Sequence, residues 1–420
     1  MPSLRLGFAL AGENNDVTVI SAGFVGEKYG SKGLFREFWG IRVEEAKRYD
    51  DGDGDGEGLA EAELRCAFEQ VPGLLLEKKE SQFDVVILEL FYSHLMDALR
   101  SAPGLRSTPI LVFSTTSSLY MAVRYQGLLN DGRSHNEALD YFVQADEKFN
   151  SHRRSLRNTS DGFFSFDGMN RAVVHALRNA DMIVSHSCGS FYDSAWLDPL
   201  IKSPAIANIP FIHAYPNLLL TPEVDANRMS VVVNRWLRRQ IDGVIYVSFG
   251  TVASPTATQI AHLFHSLRES NRPFIWSLKP KFHHYLRPLL DATTVIVNID
   301  GGIDDVDLGS ARGVIMGWVD QPKLLNDPAI SLFISHCGWN SVLESIQSAV
   351  PVLCMPQFGD QIVNALFLES KGAGKLASSD DSNITDVLAR VKSMKHAMND
   401  LRGKMELRDD SGEHLLRLIR

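Results

Sequence analysis

Short, near-continuous apolar runs recur along the chain, separated by stretches whose apolar positions follow a helical spacing. In the first half they are Val17 to Ser21, Val85 to Leu90, Ile110 to Ser114 and Met182 to Ser185. Rich in β-branched residues and apolar at successive positions, they read as strands covered on both faces. The rhythm restarts in the second half at Val244 to Phe249, Phe274 to Leu278, Val295 to Asn298, Val314 to Met316, Leu332 to Ser335 and Val352 to Met355. Strands alternating with helices predict parallel sheets with helices on both sides. Between the halves, IPFIHAYPNLLLTPEV carries prolines and no clear period, which places a linker around Pro210 to Asn234. At 420 residues the chain exceeds what one hydrophobic core usually organises, so two domains are expected.

Composition narrows the function class. A formal net charge of −9, with no broad basic stripe, argues against a nucleic-acid partner. The four cysteines have neither metal-ligand spacing nor the density of a disulfide framework, which suits a reducing compartment. No apolar run reaches transmembrane length, and Met1-Pro2-Ser3 opens no basic-then-apolar signal peptide, so the expected location is cytoplasmic. The acidic stretch Asp50 to Gly58 resembles the start of a calcium loop, but Ala62 stands where a bidentate Glu is needed. It reads as a solvated loop. The aromatics between Tyr120 and Phe166 read mostly as core, with some available to line an apolar acceptor cavity.

Candidate chemistry concentrates between Gly317 and Gln361. A nucleoside diphosphate needs a flat face for its base, polar groups for its ribose and donors for its phosphates. Trp318 offers an indole face, and Gln321 follows three residues on. His336 to Ser341 joins a strand end to a helix start expected near Asn340, and helix N-termini bind phosphate through unpaired amides and the dipole. Gly338 permits close backbone approach, while Asn340 and Ser341 add donors. Each piece alone has a plain structural reading. Ser341-x-x-Glu344 in particular fits a capping box with Ser341 as N-cap.

Taken together, Trp318-x-x-Gln321, the run His336 to Ser341 with Glu344, and Asp360-Gln361 resemble the nucleotide-sugar motif of family 1 UDP-glycosyltransferases. The turn Tyr246 to Thr251 is similar to the family's as well. The resemblance runs from about Leu4 to about Leu376 and is strongest after residue 240. It implies that Trp318 stacks on uracil and the Val319 backbone meets the base edge. Gln321 and Glu344 would hold the ribose, and His336, Gly338, Asn340, Ser341 and Thr251 would serve the phosphates. Trp339, Asp360 and Gln361 would contact the sugar. No Walker-type loop appears, and no GxGxxG links a strand to a helix, which excludes P-loop and dehydrogenase readings.

The family places a general-base histidine in a loop after its first strand, oriented by an aspartate. Here the opening residues resemble the helix that follows that loop, so the histidine would lie upstream of Met1. Glu89 occupies the position of the orienting acid. His94, His186 and His213 are substitute candidates, histidine suiting a base that works near neutrality.

The implied fold is two Rossmann-like α/β domains facing across a cleft, the GT-B arrangement. An acceptor domain is expected over 1–220, a linker over 221–240, a UDP-sugar domain over 241–383 and a helical region over 384–420 that packs back on the first domain. The implied function is inverting transfer of a sugar, glucose for preference, from a UDP-sugar to a hydroxyl of a small apolar acceptor. No cofactor and no metal are implied, because helix amides and polar side chains stabilise the leaving diphosphate. The alternative is a catalytically impaired UDP-sugar-binding protein, since the base histidine is absent from the sequence.

Overall fold

The computed structural model describes residues 18–22, 37–41, 83–102, 104–128, 136–157, 166–202, 209–213, 231–241, 243–250, 253, 255–297, 308–377 and 384–406. The opening residues, the acidic stretch Asp50 to Gly58, Phe163, Phe164 and Thr251 lie outside them. The chain divides into two compact units, Met1–Pro222 with Met405–Arg420, and Glu223–Lys404. No helix among the described residues is long and apolar enough to cross a membrane.

In the first unit, β1 (Thr18–Ala22) pairs parallel with β2 (Glu37–Ile41). A separate parallel sheet has the order β3 (Val86–Glu89), β4 (Ile110–Ser114), β5 (Met182–Ser185) and β6 (Phe211–His213). The last strand corrects the sequence reading, which gave Phe211 to His213 to a linker. Three residues beside a single neighbour are too few to display a period, and Pro210 at the strand's start imitates a loop. Of the aromatics, Tyr120, Tyr125 and Phe142 are core, whereas Tyr141 is 60% exposed. An ion pair buried on both sides joins the helix Ser118–Leu128 to the helix Glu137–Arg157, with Arg124 Nη2 3.0 Å from Asp146 Oδ2. The Arg124 guanidinium also lies over the Tyr120 ring. Losing either partner would strand a charge in the core.

The second unit is built on seven parallel strands. They are β7 (Val244–Ser248), β8 (Phe274–Ser277), β9 (Thr294–Val297), β10 (Gly313–Met316), β11 (Ile330–Ser335), β12 (Val352–Cys354) and β13 (Gly374–Leu376). Across the sheet the order is β13-β12-β11-β7-β8-β10-β9. The chain therefore starts in the middle, builds outward on one side through β8, and returns to build the other side from β11. Side chains alternate as strand geometry requires. Ile245 and Val247 of β7 join Leu332 and Ile334 of β11 in one core cluster. Tyr246 and Phe333 stack on the other face, 4.8 Å apart and nearly parallel. The helix Ile384–Glu406 seats Ile384, Val387 and Met394 in the same cluster as Ile245. Upstream, the helix Val231–Leu237 docks through Trp236, whose buried indole donates to Ala311 O at 2.7 Å.

Gly313 sits opposite Phe274 in the β10–β8 register, and a methyl group there would lie 2.3 Å from Phe274 Cζ. The ring is buried and walled in, so it cannot step aside cheaply. Gly313→Ala should destabilise the second unit by about 1–3 kcal/mol through overpacking. Denaturant unfolding of the variant checks it, with an unchanged midpoint as the contrary result.

Candidate functional site

Sheets of this kind bind ligands outside the carboxyl ends of their strands, where the strand order reverses. In the second unit that reversal lies between β7 and β11, which run parallel with Ser248 opposite Ser335. The segment after β7 is Phe249-Gly250, and the segment after β11 is His336-Cys337-Gly338. The two meet at the tip of the His336 ring. A methyl on Gly250 would lie 2.7 Å from His336 Nε2, and one on Gly338 would lie 2.6 Å from it. Both positions therefore demand glycine, Gly250 doubly so because its φ is +71°. Burial of the ring pushes the His336 pKa down to about 4, with the Ser248 backbone working weakly against it. His336 is thus a neutral imidazole at neutral pH.

Between strand and helix the chain turns at Cys337, a non-glycine residue with φ of 63°. Such a backbone costs about 1–3 kcal/mol unless its surroundings fix it. Ser335 Oγ accepts from Cys337 N at 3.1 Å, and Asn364 Nδ2 donates to Cys337 O at 3.1 Å. The helix Trp339–Gln347 then begins, with Gly338 as its N-cap and no side-chain capping bond. The first bond back to the cap runs from Val342 N to Gly338 O, 3.1 Å. The amides of Trp339, Asn340 and Ser341 consequently have no acceptor inside the helix. Ser341 lies within the first turn, so the capping-box reading of Ser341 and Glu344 does not hold. Glu344 turns instead to Gln321.

Gln321 starts the helix Gln321–Leu325 just after the Trp318 turn. Its Nε2 donates to Ser341 Oγ at 2.9 Å and to Glu344 Oε2 at 2.8 Å, while its Oε1 accepts from Tyr246 Oη at 3.1 Å. Three predicted residues are thereby brought together, and Tyr246 joins them. Trp318 is 50% exposed at the carboxyl end of β10, while Val319 beside it is buried. A large indole left in solvent is a ready flat face. Asn340 is exposed and Ser341 buried.

The three residues expected at a sugar are placed differently. Trp339 is buried, its indole edge-on to Phe367 at 6.1 Å. Asp360 Oδ2 accepts from Asn364 Nδ2 at 2.8 Å. Gln361 is buried too, and its Oε1 accepts from Gln357 N at 2.7 Å and Phe358 N at 3.0 Å. Gln361 thus shapes the loop before the helix Gln361–Ser370, while Trp339 and Asp360 pack and bond against the helix itself. Two residues escaped the sequence reading, and both carried a signal. Asn364 is a fully buried polar side chain in the otherwise apolar helix stretch IVNALFL, and Tyr246 bears the one hydroxyl among the middle residues of VIYVS.

In the first unit Glu89 ends β3 and accepts from Thr115 Oγ1 at 2.6 Å. His186 follows β5 and is buried. His213 ends β6, with Nδ1 3.3 Å from Ser118 Oγ, and that hydroxyl lies 2.7 Å from Ser185 Oγ. His94 falls in the 3₁₀ segment Leu90–Leu95 after β3. All four acid and base candidates thus stand at or just beyond carboxyl ends of strands of one sheet.

His336 lends itself to a pH test. Its folded value of about 4 lies below the ordinary 6.5, so the unfolded chain binds the extra proton between those values. Stability from this residue is complete above about pH 6.5 and is lost as pH falls towards about 4. His336→Gln should flatten that part of the stability-against-pH curve relative to the parent. A titration of the His336 ring with its midpoint at the ordinary value would contradict the placement.

Residues 220–407 match the family model described as UDP-glucoronosyl and UDP-glucosyl transferase. UDP-glycosyltransferase 76E1 of Arabidopsis thaliana is 28% identical over 386 residues, covering 88% of this chain and 79% of its own. Anthocyanidin 3-O-glucosyltransferase UFGT of Vitis vinifera is 32% identical over 206 residues, 49% of this chain and 40% of its own. The chain therefore spans less than half the length of that second relative. Among solved structures, a UDP-glucose: anthocyanidin 3-O-glucosyltransferase in complex with UDP superposes with a TM-score of 0.74 at 18% identity, over 100% of this chain and 95% of its own. Os79 from O. sativa in complex with UDP gives 0.71 at 19%, over 100% and 96%. At such identities the likeness speaks for the fold, which is GT-B. The motifs of the second unit lie within the same region that matches the family model for UDP-glucoronosyl and UDP-glucosyl transferases.

Proposed function

We propose that the second unit binds a UDP-sugar and that the protein is an inverting glycosyltransferase, moving glucose to a hydroxyl of a small apolar acceptor. The observation that carries this reading is the meeting of the segments after β7 and β11 around His336, directly before the helix Trp339–Gln347, whose N-cap Gly338 has no side-chain bond. A diphosphate lying there meets backbone amides, the positive end of a helix dipole, and the side chains of Asn340 and Ser341. A neutral His336 offers a hydrogen bond without a net charge, and Gly338 keeps the approach open. Thr251 completes the phosphate set in this reading. Trp318 stacks on uracil, with the Val319 backbone at the base edge. Gln321 and Glu344 hold the ribose.

Charge that develops on the leaving UDP during transfer is met by groups already oriented, which is where such stabilisation counts most. Trp339, Asp360 and Gln361 form the wall beside the sugar, held by the helix Gln361–Ser370 and the loop before it. Glu89 takes the orienting acid's place in the acceptor domain, where its bond to Thr115 fixes its carboxylate. Relatives named as anthocyanidin and flavonol glucosyltransferases support a small, largely apolar acceptor.

Two substitutions test the donor site. Trp318→Ala should weaken UDP by about 1–3 kcal/mol, the usual worth of one base-aromatic stack. Calorimetry measures it, and unchanged affinity in a folded variant would remove Trp318 from the site. Glu344→Gln should weaken UDP while leaving the ligand-free melting point nearly untouched, because Glu344 caps no helix. A variant that melts earlier yet binds UDP normally would refute its ribose role. For the reaction, UDP release is followed with UDP-glucose and a panel of phenolic and sterol acceptors. Acceptor-dependent release supports transfer, whereas tight UDP binding without it would favour a UDP-sugar-binding protein.

A further inference from the structure

Tyr246 lies in the middle of β7, buried, with its ring stacked on Phe333 of the neighbouring strand. Nothing about an apolar parallel strand calls for a phenol there, since Phe would fill the same volume. Its hydroxyl reaches Gln321 Oε1 at 3.1 Å. Burial raises the phenol's pKa well above its ordinary value, so the group stays protonated and donates. The bond settles which way the Gln321 amide faces. With Oε1 turned to Tyr246, both protons of Nε2 face the helix Trp339–Gln347 and are taken by Ser341 Oγ and Glu344 Oε2. A reversed amide would set its oxygen against the Glu344 carboxylate. The result is a chain from a rigid strand, through Gln321, to a carboxylate on a helix.

What this chain presents outward is acceptor character. An amide oxygen has two lone pairs and Tyr246 uses one, and a carboxylate has about four acceptor sites. Such a pair favours a partner that donates hydroxyl protons over an anion. The geometry points to Tyr246 as a positioning residue for ribose recognition, holding Gln321 and through it Glu344 in the arrangement that reads a nucleotide's vicinal hydroxyls. This inference rests on the UDP-sugar reading above and extends it to a residue that does not touch the ligand.

The test is Tyr246→Phe, which keeps the ring and its stack while deleting only the hydroxyl. UDP and its 2′-deoxy and 3′-deoxy forms are titrated against parent and variant, alongside ligand-free thermal unfolding. The parent should favour UDP over at least one deoxy form, and the variant should lose about threefold to tenfold of that preference, the range expected for one net hydrogen bond. A merely structural role would weaken all three ligands alike and leave the ratios intact, which would overturn the inference. In a Gln321→Ala background the same substitution should change the ratios no further, and a further change would overturn the link through Gln321. Absence of UDP binding by the parent is a separate result that refutes the donor-site reading itself.

Discussion

The close approach of two backbone segments at the middle of the seven-stranded sheet governs the second unit's chemistry. β7 and β11 are neighbours in space but far apart in sequence, so the segments that leave their carboxyl ends must share one small volume. His336 fills it, and the ring touches backbone at Gly250 and Gly338, where no side chain would fit. Burial there holds the imidazole's pKa below its ordinary value, so the ring is neutral near pH 7. The contact also sets where the helix Trp339–Gln347 begins, and hence where its first-turn amides are aimed. A side chain on either glycine would push the ring, the turn and the helix start apart together.

Around that contact, polar groups are buried in a way that specifies geometry rather than adding much stability. Single hydrogen bonds contribute only about 0.5–1.5 kcal/mol net, yet an unmet buried donor or acceptor costs more. Asn364 shows the consequence. Fully buried, it binds both Asp360 and the carbonyl of Cys337, and so ties the strained turn to the next helix. Tyr246, Gln321 and Glu344 form a second chain of the same kind. Both chains run between elements that are distant in sequence, which makes them useful for holding a site and invisible to local pattern.

The first unit handles its polar residues by another route. Among the described residues its fully buried ion pair, Arg124 with Asp146, joins two helices and not strand ends. At those ends the polar groups are hydroxyls, an acid and imidazoles: Glu89 with Thr115, Ser118 with Ser185 and His213. Such groups can act as donor or acceptor, whereas the helix start of the second unit presents amide donors.

How much of this was legible beforehand follows from the range of each interaction. Runs of β-branched residues announced every strand of the second sheet except β13, and every strand of the four-stranded sheet except β6. The two missed strands are three residues long, at sheet edges. β2 escaped as well, because Glu37 and Gly40 interrupt its apolar pattern. The motif from Trp318 to Gln361 carried the resemblance to the family because its spacing is rigid along the chain. Sequence by itself therefore determined the α/β class, the two-part organisation and the residues around the turn after β11. Local spacing by itself could not tell Ser341 and Glu344 from a cap, since S-x-x-E is satisfied equally by a helix that starts three residues earlier. Only the tertiary structure decided that His336 is wedged between two glycines, that Glu344 answers to Gln321, and that Trp339 and Gln361 face inward. Those outcomes depend on which strands become neighbours, and strand order is a property of the folded sheet that no run of adjacent residues records.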